Sequence, residues 1–293
     1  MAFELNPQII RDALTKATQE LPPLPNVLVK VLQLTQNSDA GTIGEIETLI
    51  RSDQAISSKV LRVVNSAYFG LSGQVSSVSQ AIVILGFQQV RNLVLSVSML
   101  TQFTANDQKS KDAQLRCWES AFGTASAAQI IGGKKRFGAK DLELCFMGGL
   151  LQNIGSLFML STITRTYLSV MEEATNNHLW LASTESLRLS TNHAEVGQQL
   201  TAKWKLPEDL MLLIGRHEGP FEGDPIPALY AVHAGEHLAA ECLRTVRRPL
   251  DQTAMDPAVR SWLNFSDEEY NEVLDSVAEK IKLAIDLIGS LQN

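Results

Sequence analysis

Six side chains in the second half of this chain have types suited to shared chemistry: Glu119, Gln152, Asn153, His193, His217 and Glu236. Most interrupt an otherwise apolar helical face. His193 shares three- and four-residue spacing with Val196, Leu200 and Trp204, and His217 with Leu210, Leu213 and Ile214. Glu236 aligns with Leu229, Val232, Ala239 and Leu243, and Glu119 with Phe122, Ser126 and Ile130. Polar groups turned toward a core need partners, and groups on separate helices can supply them to one another. Two imidazoles and two carboxylates would also suffice for one zinc, manganese or iron ion, since both donate strongly to divalent cations. The amides of Gln152 and Asn153 are poor ligands for those metals and better suited to a neutral hydrogen-bonded network. The plainer alternative stands beside each reading. A single histidine on an apolar face is usually a hydrogen-bonded core residue, and His193 follows Asn192, a helix-capping type.

The elements that must position these groups read as helices. In Gly149-Leu-Leu-Gln152-Asn153-Ile-Gly155-Ser156, residues Met147, Leu150, Leu151, Ile154 and Phe158 form an apolar stripe. Gly149, Gln152, Asn153 and Ser156 form a small polar face opposite, which predicts a helix buried on both sides. Thr42-Ile-Gly-Glu45 has a capping-box pattern, Ser52 or Asp53 can cap the next helix, and Ser79 can open one that ends near Gly86. Phe87, Val90, Leu93, Val94 and Val97 carry another. The polar stretch from Thr104 to Asp112 breaks the pattern, dividing the chain into residues 1–106 and 107–293.

The second half continues with helices from Ala113 to Ile131, around Gln152-Asn153, and over Ile163–Asn176, Asn192–Lys205, Glu208–His217 and Ala228–Arg244. Gly132–Gly138 reads as a loop, and Ser266-Asp-Glu-Glu269 caps a last helix through Ile288. Sustained two-residue alternation is scarce, so the fold class is all-α.

Composition narrows the function. Charged residues are 19% of the chain and hydrophobic residues 45%, which excludes global disorder. Acidic residues exceed basic ones by seven, and this net charge disfavours broad binding of nucleic acid or anionic membrane. Cys117, Cys145 and Cys242 are odd in number and widely spaced, so buried thiols in a reducing cytosol fit better than a disulfide framework or zinc ribbon. The apolar run from Leu144 to Thr164 is long enough to span a bilayer, but Gln152-Asn153 and three glycines interrupt it. The N-terminal residues lack a signal-peptide pattern. The expectation is a cytoplasmic protein.

Several phrases carry a family resemblance. They are Leu21-Pro-Pro-Leu-Pro25, Asp53-Gln-Ala-Ile-Ser57, Lys59-Val-Leu-Arg-Val-Val-Asn65-Ser66-Ala-Tyr-Phe-Gly70 and Ala81-Ile-Val-Ile-Leu-Gly86 in the first half. Gly149-Leu-Leu-Gln-Asn-Ile-Gly155, His193-Ala-Glu-Val-Gly197 and Trp204-Lys-Leu-Pro207 follow in the second. In this order they resemble the HD-related output domain, HDOD, a degenerate branch of the HD-domain superfamily of metal-dependent phosphohydrolases. The resemblance implies an N-terminal helical subdomain packed on an HD-like helical bundle.

Position by position, the resemblance implies that the metal pattern has eroded. Glu119 stands at the first histidine, Gln152 and Asn153 at the namesake His-Asp pair, and Ser156 near a frequent lysine. His193 matches a histidine, Arg216 and His217 fall on a His-His pair, and Glu236 lies near the last aspartate. Replacing His-Asp by two amides removes two ligands and one negative charge, which makes a two-metal hydroxide hard to build. The expectation is therefore a non-catalytic signal-transduction module, without metal or cofactor, acting on other signalling proteins and with a residual pocket for a small ligand. The alternative is a single-metal phosphohydrolase using Glu119, His193, His217 and Glu236.

Overall fold

The computed structural model describes residues 6–21, 41–87, 89–94, 103, 107–246 and 255–292. Among them every regular element is a helix, as the spacing predicts. Val97, most of the first family phrase (residues 22–25) and the start of the polar stretch (residues 104–106) lie outside the described residues.

Two compact units divide the chain. One comprises residues 22–104 and 283–293. Its helices α2 (Gly41–Ser52), α3 (Gln54–Val64) and α4 (Val78–Leu85) pack on one another. Asp53 Oδ1 accepts from Ile56 N at 3.0 Å and so caps α3. Asn65 ends it, pairing with the backbone of Val75 on both sides, 2.7 and 2.8 Å. Here Asn65 is a turn anchor. Ser77 caps α4, two residues before the expected Ser79, and α2 starts at Gly41, so Thr42 lies inside the helix.

The other unit comprises residues 1–21 and 105–282. The division within the chain falls between residues 104 and 105. The first 21 residues, however, cluster with the second half, and residues 283–293 with the first. Helix α1 (Pro7–Glu20) begins at an Asn6 cap with proline in its first turn. It buries Ile10 and Leu14.

The long helix α5 (Gln108–Lys134) is capped by Asp107 and runs three residues past the expected Ile131. Helices α6 (Ala139–Leu151) and α7 (Ile154–Thr162) break at Gln152-Asn153, where one continuous helix was expected. Both faces of that segment are buried. One apolar segment, Ala139–Thr162, has the length and composition of a membrane span, but 83% of its apolar window is buried in the bundle.

Next come α8 (Thr164–Asn176), α9 (Leu181–Leu189), α10 (His193–Lys203), α11 (Glu208–Arg216) and α12 (Pro227–Val246), then α13 (Pro257–Leu263) and α14 (Asp267–Gln292). Helix α5 packs against α6 and α12 as the centre of the unit. Glycine permits these approaches: a Cβ at Gly149 would lie 2.7 Å from the backbone of Ala125, and one at Gly155 would lie 2.0 Å from the carbonyl oxygen of His193. Gly155 thereby sets the start of α7 against the start of α10 and places Ser156 beside the histidines' support. Lys135 Nζ donates to the carbonyls of Trp262 and Leu263, closing the end of α13. At α14, Ser266 and Glu269 form the expected reciprocal capping box.

Candidate functional site

His193 is the first residue of α10, behind an Asn192 cap whose Oδ1 accepts from Glu195 N at 2.9 Å. Its own side chain is 1% exposed and points inward. Glu185, on α9, meets it twice: Oε2 accepts from the His193 backbone N at 2.8 Å and lies 2.7 Å from Nδ1. The Tyr167 hydroxyl donates to Glu185 Oε1 at 2.5 Å and lies 2.8 Å from Ser156 Oγ, which can donate in return. Ser156 thus belongs to the support of His193.

His217 lies in the turn after α11. Its Nδ1 is 2.9 Å from the carbonyl oxygen of Ile214, and its Nε2 is 3.1 Å from His193 Nε2. Glu218 follows directly. Its Oε1 is 3.2 Å from His193 Nε2 and 3.7 Å from His217 Nε2, while Oε2 accepts from Trp180 Nε1. The 3.2 Å approach has poor hydrogen-bond alignment, and Glu218 Oε1 stays without a hydrogen-bond donor, as does the buried Glu236 Oε2 on α12. His193, His217, Glu218 and Glu236 each offer one ligand atom, and these four atoms lie within 4.8 Å of one another. Behind them, His233 Nδ1 is 2.8 Å from the carbonyl oxygen of His217, and His237 stacks on Trp180.

Burial and charge separate the protonation states. Burial lowers the His193 pKa, but the charge and hydrogen bonding of Glu185 and the charge of Glu218 outweigh it and hold the ring protonated well above the ordinary histidine range. Burial drives His217 down to about 4. Burial would raise Glu218, yet the adjacent charge of His193, then that of His217, bring it to about 2. Burial, then repulsion from Glu218, pushes Glu236 well above the usual carboxylate range.

The structure brings together three of the six expected residues, His193, His217 and Glu236. Asn153 lines the adjoining cavity of about 470 Å³, together with Ser156, Trp180, His193, Glu218 and Glu236. Gln152 is fully buried and is absent from the cavity lining; its Nε2 donates to Thr124 Oγ1 on α5 at 3.0 Å. Glu119 is buried on α5 and lies outside the four-group cluster. Sequence reasoning missed Glu185, Glu218, Tyr167 and Trp180. The signals were faint: Glu185 sits between Ala182 and Leu189 at helical spacing, and Glu218 stands between His217 and a Gly-Pro turn.

The donor set fits one cation. Two imidazoles and two carboxylates converge, and two of the carboxylate oxygens are buried without a hydrogen-bond donor. It does not fit two, because Gln152 faces Thr124 and Asn153 offers an amide where a bridging carboxylate would be needed.

Comparison with known proteins agrees with this architecture. An uncharacterised protein of Treponema pallidum (strain Nichols) is 24% identical over 264 residues, covering 90% of this chain and 49% of that protein. The chain therefore spans about half the length of this curated relative. A Marinobacter aquaeolei VT8 structure, named as a candidate signal transduction protein, shares 21% identity with a TM-score of 0.76, covering 100% of this chain and 68% of that one. A Shewanella amazonensis SB2B structure, named as a candidate phosphohydrolase, shares 22% identity with a TM-score of 0.68, covering 95% and 98%. These likenesses show the fold. The sequence profile of the HDOD domain matches residues 21–220, more than half of the chain, and with that match the chain belongs to the HDOD domain family.

Proposed function

We propose that this chain is a non-hydrolytic regulatory module of bacterial signal transduction, acting in the cytoplasm by binding other signalling proteins. The observation that carries the reading is the amide pair. Gln152 commits its amide to Thr124 in the packing between α5 and α6, and Asn153 brings no charge to the cavity. Two ligands and the bridging carboxylate of a two-metal hydrolase are thereby missing. The name of the Marinobacter relative supports a signalling role, and the net charge of −7 speaks against a nucleic-acid partner. The cavity suits a small ligand that would bias partner binding.

A second reading is a single-metal phosphohydrolase. It is favoured by the cavity, which reaches His193, Glu218 and Glu236. Those residues with His217 would hold the ion, and the ion would supply Lewis acidity and an activated water. Turnover assays separate the two readings. With zinc, manganese or iron supplied, the first expects no release of nitrophenol from p-nitrophenyl phosphate or its bis ester, and no opening of cyclic dinucleotides. Turnover that disappears in His193→Ala establishes the second.

A further inference from the structure

A proton on His193 answers only part of the polar cluster around His193 and His217. Ile214 O only accepts, so His217 Nδ1 carries a proton and its Nε2 presents a lone pair. His193 Nδ1 faces the Glu185 carboxylate, which also accepts from Tyr167 and from the His193 backbone. In the neutral ring its Nε2 presents a lone pair as well. The two nitrogens face each other at 3.1 Å. Glu218 Oε1 points into the same space, and Glu236 places a further oxygen there, both without a hydrogen-bond donor. A proton can bridge one pair of these four atoms. A single cation can serve all of them.

The separations also suit an ion. Four ligands at about 2.0–2.1 Å around tetrahedral zinc are about 3.3–3.4 Å from one another. The edges among His193 Nε2, His217 Nε2 and Glu218 Oε1 are 3.1, 3.2 and 3.7 Å. Glu236 lies within 4.8 Å of the others, and a carboxylate shift on the order of 1 Å completes the set. The supports are in place: a carboxylate behind one imidazole and a backbone carbonyl behind the other, the partners that fix ring orientation at metal sites. The cavity touching His193, Glu218 and Glu236 gives an entry path.

Against the sequence expectation of no metal, we propose that His193, His217, Glu218 and Glu236 form a closed four-ligand site for one divalent transition-metal ion of the zinc type. Glu218, which belongs to no phrase of the family resemblance, supplies the negative charge that the Gln152-Asn153 pair removed. The proposal rests on the non-hydrolytic reading and deepens it. Four protein ligands leave no position for an activated water, so the ion is a clasp joining the start of α10, the turn after α11 and the middle of α12.

The test uses the full chain, stripped with chelator, dialysed and titrated with Zn²⁺ or Co²⁺. One ion per chain by mass spectrometry, the intense visible bands of four-coordinate Co²⁺ and a metal-dependent rise in Tm are expected. Glu218→Gln should lose tight binding. Glu185→Gln should keep the stoichiometry and bands while weakening affinity about 10- to 100-fold. Glu119→Gln should bind as the wild type does, which separates this ligand set from one that includes Glu119. Absence of stoichiometric metal on the wild type overturns the site. So does a folded Glu218→Gln protein with unchanged affinity. Weak six-coordinate Co²⁺ bands overturn the closed set, and they can be read on the wild type even if every variant fails to fold. Hydrolysis is assayed separately, so loss of the metal proposal leaves the non-hydrolytic reading standing, and turnover by a one-metal protein overturns that reading together with the closed set.

Discussion

At the scale of single residues, the site is a set of buried charges that depend on one another. Glu185 accepts from His193 N, His193 Nδ1 and the Tyr167 hydroxyl. Glu185→Ala would leave these buried donors unanswered and an imidazolium without its counter-charge, a loss of about 3–5 kcal/mol in chemical denaturation. Stability of the metal-free protein should also depend on pH in two windows. His217 has a folded pKa of about 4 against about 6.5 unfolded. The unfolded chain binds more protons between those values, so stability falls as pH drops through this window, by about 3 kcal/mol in total from this group. His193 is shifted the other way. Its contribution is complete below the unfolded pKa and is lost as pH rises through the raised folded value. Melting between pH 4 and 9 should therefore show loss on both sides, with the alkaline limb flattened in His193→Gln. An alkaline limb identical in that variant contradicts the assignment. His193, His217 and Glu236 were legible because each interrupts an apolar stripe. Glu185 and Glu218 were not, because a glutamate in a short mixed-character segment looks the same whether it faces solvent or a buried imidazole.

At the scale of elements, cap chemistry made helix starts readable. Asp53, Asn192 and Ser266 all act as the sequence suggests. Helices α1, α9 and α13 escaped notice because they are short or carry thin apolar faces, and α9 holds Glu185. The break between α6 and α7 was hidden for another reason: the apolar stripe keeps its phase across Gln152-Asn153 while the backbone turns. Close approach at Gly155 is the element-level feature that places α10. Gly155→Ala puts a methyl 2.0 Å from a backbone oxygen, and the helices must separate, costing about 3 kcal/mol or more. Gly133→Ala, near the end of α5, meets nothing within 4 Å and should gain about 0.5–1 kcal/mol from helix propensity. Equal effects of the two changes on Tm would contradict the packing argument.

At the scale of the whole molecule, the chain forms two compact units whose composition does not follow a simple cut in sequence. The first helix belongs with the unit that carries the site: α1 packs on α9 and α10, and Lys203 Nζ donates to Gln19 O at 3.0 Å. Deleting residues 1–21 should destabilise that unit by several kcal/mol, about 1.5–3 for each of Ile10 and Leu14. Calorimetry of the truncated chain checks this, and an unchanged transition would show α1 to be dispensable. Sequence patterning could not reveal the arrangement, because period and capping specify helices but not which distant helix they pack against.

On the proposed reading, this family member does not hydrolyse phosphate esters. The most direct measurement is turnover of p-nitrophenyl phosphate, its bis ester and cyclic dinucleotides by the full chain with zinc, manganese or iron. The account predicts rates equal to the metal-only background for wild type and His193→Ala alike. Turnover above background in the wild type that His193→Ala abolishes would contradict it.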